Sequence, residues 1–234
     1  VFRRSIHLLY VPTLCCNLDC AYCYLGKQTT QAALKVDAER AVSTLRFALD
    51  KLGQAGVLAF NVSLHGGELT TLPEIVLDKL FTLVGDYYRG HFDAINALGH
   101  RKSAPHIKTN LYRFAPLYDL FDRHRVSISA SIDLPLALHE RYRTTRGGRG
   151  WLKKTQDNLR LLARSLCQNF ATLREKGHPK WREVELALPD LGRGWFYYAP
   201  TARELNACLS SSSRDAAAPG MRSDKPCSQA ERVL

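Results

Sequence analysis

Leu14-Cys15-Cys16-Asn17-Leu18-Asp19-Cys20-Ala21-Tyr22-Cys23-Tyr24 holds four of the chain's seven cysteines. Random placement would scatter them, so the cluster asks for a chemical reason. Two registers fit the spacing. Cys16, Cys20 and Cys23 spell C-x3-C-x2-C, three thiolates on one tight loop. Such a loop can hold three irons of a cubane cluster and leave the fourth without a protein ligand. Cys15, Cys20 and Cys23 spell C-x4-C-x2-C, a 2Fe–2S spacing that needs a distant fourth cysteine. A zinc site or a buried, inert cysteine group is the plainer reading.

Outward from the loop, the chain alternates short apolar runs with helical periodicity. Ile6-His7-Leu8-Leu9-Tyr10-Val11, closed by Pro12, reads as a buried first strand. The cysteine loop follows it directly, at the strand end where α/β folds place their chemistry. Residues 26–31 read as polar loop. Across 35–52 the apolar positions Val36, Ala41, Val42, Leu45, Ala48, Leu49 and Leu52 recur at three and four, with Asp37 and Glu39 at the start and Gly53 at the end. That predicts a helix. Val57 to Leu64 is a second strand running into His65-Gly66-Gly67-Glu68, where two glycines let the backbone approach a ligand closely. A second helix is predicted over 73–88, stopped by Gly90, and a polar loop with surface histidines His91 and His100 over 91–104. Residues 105–110 form a third strand ending in Thr109-Asn110. A helix over 115–123 leads to a fourth strand, 126–133, in which Ser alternates with apolar residues. A further helix is expected over 151–166. Beyond it the pattern decays, with possible fifth and sixth strands at 183–188 and 195–199.

Taken in order, these pieces resemble the radical SAM enzymes. The C-x3-C-x2-C loop has an aromatic residue before its third cysteine, and Gly-Gly-Glu, Thr-Asn and Ser-x-Asp follow at the ends of successive strands. The resemblance covers about residues 5–166. It implies an α/β fold, the partial (β/α)6 barrel, here incomplete and followed by an irregular C-terminal tail. It implies a 4Fe–4S cluster on Cys16, Cys20 and Cys23, with S-adenosyl-L-methionine on the open iron. By the same resemblance Tyr22 lies near the adenine, Gly66, Gly67 and Glu68 hold the methionine amino group, and Asn110 and Ser131 border the cofactor. Arg143 binds the methionine carboxylate, for which a guanidinium fork is suited. The family's Pro after Gly-Gly-Glu is Leu69 here, and Leu111 and Leu134 stand where glycines are expected. The sequence style is similar to the SPASM-type, peptide-modifying and sulfatase-maturing members. They carry a cysteine-rich C-terminal domain, whereas only Cys167, Cys208 and Cys227 remain here. A natural short form, a fragment and a shifted reading frame are all compatible with that. A plant-type 2Fe–2S electron carrier and an inactive relative of the enzymes are the rival readings.

The expected organisation is a core over 5–166, an uncertain segment over 167–204 and a disordered tail over 205–234, rich in Ser, Ala and Pro. No run approaches a membrane span, and the N-terminus does not read as a signal peptide. Seven cysteines, an odd number with four of them in one loop, do not look like a disulfide framework. A reducing cytoplasm is the expected location. The formal charge of +11 is uneven: residues 1–140 carry 15 Lys/Arg against 13 Asp/Glu, residues 141–234 carry 18 against 9. A basic half suits nucleic acid or an acidic peptide. No nucleic-acid-binding signature is present, so the expected partners are a peptide or protein substrate and an external electron donor.

Overall fold

The computed structural model describes residues 2–31, 37–101, 104–133, 136–176, 179–185, 187–188, 193, 197 and 199–215. They fall into two compact units, residues 1–162 and 163–234. In chain order the first unit runs β1 (Arg4–Thr13), β2 (Leu18–Cys20), α1 (Gln28–Gln31), α2 (Ala38–Gln54), β3 (Val57–Gly66), α3 (Glu74–Gly90), α4 (Phe92–Ala97) and β4 (His106–Thr109). It continues through α5 (Tyr118–Arg123), β5 (Ser127–Ala130), α6 (Leu136–Tyr142), β6 (Arg143–Thr145) and the start of α7 (Leu152–Lys176). The main sheet has the order β1-β3-β4-β5 with every pair parallel. The fold is therefore mixed α/β, a partial barrel with its helices packed on one face. Parallel neighbours need crossovers, and α2, α3 and α5 supply them.

The sequence pattern accounts for these elements. The α2 helix starts where Asp37 accepts a hydrogen bond from the Glu39 amide, an N-cap. Its apolar stripe buries Ala41, Leu45 and Leu49. The α3 helix buries Val76, Leu77, Leu80, Phe81, Val84 and Tyr88 against Val62, Leu64 and Ile107 of the sheet. A register shift after Ile6 interrupts the β1–β3 ladder. Near it, the amides of Ala59 and Val62 donate to the hydroxyls of Tyr87 and Tyr88. Burial of those hydroxyls raises both phenols, Tyr88 to about 12. The opposite face of the sheet carries Leu9 and Val11, both exposed, with His65 and Lys108 beyond them.

Several expectations change. Residues 91–104 are not simply loop: α4 lies there, and its flanking histidines close the sheet. His100 stacks on Phe60 at 3.8 Å, and His91 stacks on Tyr87 at 4.3 Å. The fourth strand is four residues long, matching β4, its ladder partner among the described residues, which is also four long. Of the later strands, 183–185 and 187–188 are not extended into a sheet, while Trp195 lies outside the described residues. The polar stretch 26–31 contains the single turn α1.

In the second unit, α8 (Ala199–Asp215) occupies the start of the expected tail. Ala202, Arg203, Glu204, Leu205 and Ala207 are strong helix formers, which carry the helix into the serines that follow. Residues 216–234 lie outside the described set. Cys167 and Cys208 form a disulfide, with Cα atoms 5.8 Å apart, where the cysteine count had suggested none. Arg164 pairs with Glu204 at 3.2 Å beside it. A bond spanning 41 residues stabilises by about 4 kcal/mol on the chain-entropy account. Iodoacetamide labelling of the unreduced, unfolded protein should spare Cys167 and Cys208 while modifying Cys15, Cys16, Cys20 and Cys23. Peptide mapping that finds Cys167 and Cys208 labelled counts against the disulfide.

Candidate functional site

The cysteine loop leaves the end of β1 and is pinned from four directions. Its β2 segment pairs antiparallel with β6, Leu18 opposite Thr145 and Cys20 opposite Arg143. The Ala21 amide donates to the Tyr142 carbonyl at 2.9 Å. The Arg146 guanidinium donates to the carbonyls of Cys16 and Thr29, fixing both ends of the loop. Beneath it, Trp151 packs with Cys16 and Leu18. The glycines at the end of β3 complete the seat. A Cβ on Gly66 would overlap the Thr13 carbonyl, and one on Gly67 would overlap the carbonyls of Leu14 and Cys15. The close approach the Gly-Gly pair permits in this structure is therefore to the loop's own backbone. The Gly67 and Glu68 amides bond to it, to Thr13 O at 3.1 Å and Cys15 O at 2.8 Å.

Glu68 is buried, 3% exposed. One carboxylate oxygen accepts from the Thr70 amide, the Thr70 hydroxyl and the Thr109 hydroxyl at 3.2, 2.7 and 2.7 Å. The other accepts from the Asn110 amide at 2.7 Å. Each carboxylate oxygen offers about two acceptor positions, so Oε1 is fully used and Oε2 keeps one. Asn110 in turn donates from Nδ2 to Asn17 Oδ1 at 2.8 Å, within 3.9 Å of Cys16 Sγ. Leu111 adopts a left-handed φ of 66° and is fully buried. The position expected to be glycine thus does require the backbone that glycine favours. Ser131 lies half-buried just past β5, its amide bonded to Thr109 O at 2.9 Å.

Tyr22 and Arg143 converge on Asp133. The Tyr22 hydroxyl donates to Asp133 Oδ2, Arg143 Nε donates to the same oxygen at 3.1 Å, and the guanidinium lies 5.7 Å from the Tyr22 ring centre. Burial works against the Asp133 carboxylate, but the bonds from Tyr22 and Arg143 outweigh it and lower its pKa. Burial and the same carboxylate push the Tyr22 phenol up to about 12. Behind them His139 is fully buried on α6. Its Nδ1 accepts the Asp133 amide at 3.2 Å, which leaves Nε2 as the protonated nitrogen facing Thr155 Oγ1 at 3.5 Å. Burial and then the Arg143 charge lower its pKa, opposed by Asp133 and Glu140.

Cys16 is buried, and burial pushes its thiol up to about 11, with Glu68, Cys20 and Cys23 adding to the rise against the Leu18 amide. Burial also raises Cys20. The three thiols of the first register therefore lie within electrostatic reach of one another. Among the described residues no three His, Cys, Asp or Glu side chains are drawn together at metal-binding spacing. One feature suits a sulfur-rich ligand: Asn17 Nδ2, next to Cys16, is buried and lacks a hydrogen-bond partner among the described residues. Arg146, His139 and Trp151 were missed in the sequence. Arg146 sits in an Arg/Gly stretch that reads locally as a mobile loop, and only the long-range pairing of β2 with β6 reveals its task.

No family model matches the chain. It is 26% identical over 171 residues to the uncharacterized protein sll1766 of Synechocystis sp., across 72% of this chain and 41% of that protein. A tagged form of anSMEcpe with bound AdoMet superposes with a TM-score of 0.50 at 15% identity, covering 91% of this chain and 60% of that one. Native anSMEcpe with bound AdoMet and the Kp18Cys peptide gives 0.50 at 14% identity, covering 92% and 61%. The chain shares their fold. It spans about two fifths of the curated relative and about three fifths of those structures.

Two outcomes follow from this geometry. Left-handed backbone costs a non-glycine residue about 1–2 kcal/mol, whereas emptying a buried leucine site costs about 2–5 kcal/mol. Leu111→Gly should therefore destabilise the protein, measured as a lower denaturant midpoint; a higher midpoint means strain dominates. The lowered His139 pKa means that the unfolded chain takes up this proton more readily than the folded one. The resulting stability is complete above the ordinary value of 6.5 and is lost as pH falls below it. Asp133 contributes in the same direction, its share being present above about 3.8 and lost as pH falls through its lower folded value. Denaturant midpoints should fall from about pH 7 to about pH 5. In His139→Asn, whose Oδ1 can replace the Nδ1 acceptor, that fall should shrink; an unchanged slope would assign it elsewhere.

Proposed function

We propose that the chain is a radical SAM enzyme that reductively cleaves S-adenosylmethionine and acts on a peptide or protein. The observation that carries this reading is the seating of the cysteine loop at the C-terminal rim of a parallel sheet, against Gly66-Gly67-Glu68, Asn110 and Arg143. The donor set fits a 4Fe–4S cluster in kind and number: Cys16, Cys20 and Cys23 would hold it, with Asn17 Nδ2 available to donate to sulfur. When bound, such a cluster supplies the electron that splits S-adenosylmethionine into methionine and a 5′-deoxyadenosyl radical, the electron itself coming from an external donor.

The chain's own residues orient and shield. Arg143 meets a carboxylate, its charge partly balanced by Asp133. Tyr22, half-exposed at the loop tip, offers a ring face to an adenine. Glu68 and the backbone around Gly66 and Gly67 are assigned to the methionine amino group. Three donors crowd Glu68 Oε1 but only the Asn110 amide reaches Oε2, so Oε2 keeps an acceptor position for an ammonium. Asn110 holds Asn17 and borders the cofactor with Ser131. The fold likeness to anSMEcpe, solved with AdoMet and with a peptide, supports the cofactor and the substrate class.

Anaerobic reconstitution with iron and sulfide, followed by dithionite and S-adenosylmethionine, should yield 5′-deoxyadenosine. Cys15→Ala should keep this activity and about four irons per chain, whereas Cys16→Ala should lose both. About two irons per chain, with the reverse dependence on Cys15, would favour the electron-carrier register and end the enzyme reading. Arg143→Ala should weaken S-adenosylmethionine binding while cluster absorbance persists.

A further inference from the structure

An open cleft of about 630 Å³ lies beside the cysteine loop, outside the site described above. It shares Tyr112 and Trp151 with the packing that seats Cys16 and Leu18. Three cations line it: Arg149 on the glycine-rich turn after β6, and Lys153 and Lys154 on the first turn of α7. One acid, Asp157, faces them. None of these three cations forms an ion pair among the described residues; the Lys154 ammonium lies instead over the Tyr112 ring, 4.0 Å from its centre. The volume falls within the range of small-ligand pockets, about 300–1,000 Å³.

We infer that this cleft binds an acidic segment of a peptide, the choice of a peptide resting on the function proposed above. The cations set the sign of the ligand, and they are spread over the turn and the helix rather than focused on one point, which suits successive carboxylates along a chain. Asp157 repels a dianionic phosphate but accepts peptide N–H groups. Nucleic acid is disfavoured by the aromatic residues. Trp151 is 4% exposed, with its Nε1 bonded to Arg143 O, and Lys154 covers the Tyr112 face, so neither ring offers an open stacking platform. The first amide of α7 is taken by Glu140 at 3.1 Å, so the side chains carry the recognition. A peptide held here lies against the wall that supports the cysteine loop, and acidic residues flanking the modified position become a determinant of substrate choice.

The test is fluorescence anisotropy at low salt with the full chain and a fluorescein-labelled peptide alternating Glu with Ala, against the same peptide with Gln in place of Glu. The acidic peptide should bind more tightly. The triple variant Arg149→Ala, Lys153→Ala, Lys154→Ala should weaken it about tenfold, as removal of several complementary charges does. A control removing Arg40, Arg46 and Lys51 from the exposed side of α2 should leave binding unchanged. Equal weakening in the control, no preference for Glu over Gln, or tighter binding of a single-stranded RNA oligonucleotide that depends on the same three residues overturns the inference. Peptide-independent 5′-deoxyadenosine formation should be the same in the cleft variant and the unaltered protein. Acidic-peptide binding without that activity would sink the enzyme reading and leave the cleft standing; the activity without selective binding would do the reverse.

Discussion

A buried carboxylate with no cation partner among the described residues survives only if hydrogen bonds replace its lost hydration, and Glu68 meets that condition with donors from two segments, Thr70 and Thr109-Asn110. Its side chain gathers the Thr70 turn, the end of β4 at Thr109 and the Asn110 amide. Its own amide reaches back to Cys15. Two strand ends and the cysteine loop are thereby referred to a single residue. Truncating it would strand buried donors, each costing about 1–3 kcal/mol, so the rim of the sheet depends on this one group.

The second constraint is electrostatic. Asp133, Tyr22 and Arg143 form a compact set in which one carboxylate oxygen serves two donors. His139 supports it from behind as a neutral ring, accepting the Asp133 amide. Burial and the Arg143 charge both favour that neutral ring. The arginine assigned to the ligand's carboxylate is held in advance, rather than being recruited from solvent.

Much of this was legible in the residues. Periodicity and the Asp37 cap located α2, the apolar runs located β1 and β3, and the Gly-Gly pair, expected to let backbone approach a ligand, lies instead against the cysteine loop's own backbone. Leu111 was marked as a substituted glycine, and its positive φ explains why. What escaped is what lies far apart in sequence. A three-residue strand such as β2 or β6 carries no period to detect, and Arg146 declares its task only once those strands are paired. The helix α8 was hidden by the serines that end it, although strong helix formers precede them. The disulfide escaped because cysteines 41 residues apart give no spacing signal.

The pairing of β2 with β6 has a consequence for the order of assembly. Asp19 and Thr144 meet across 125 residues, so closing the loop's surroundings carries a large entropic cost that can be met only after the sheet has formed. The cysteine loop leaves the ribosome well before Arg143, Arg146 and Trp151, which give it its geometry. Any group this loop takes up therefore meets an immature seat during synthesis and a finished one only after the chain beyond Trp151 has folded back.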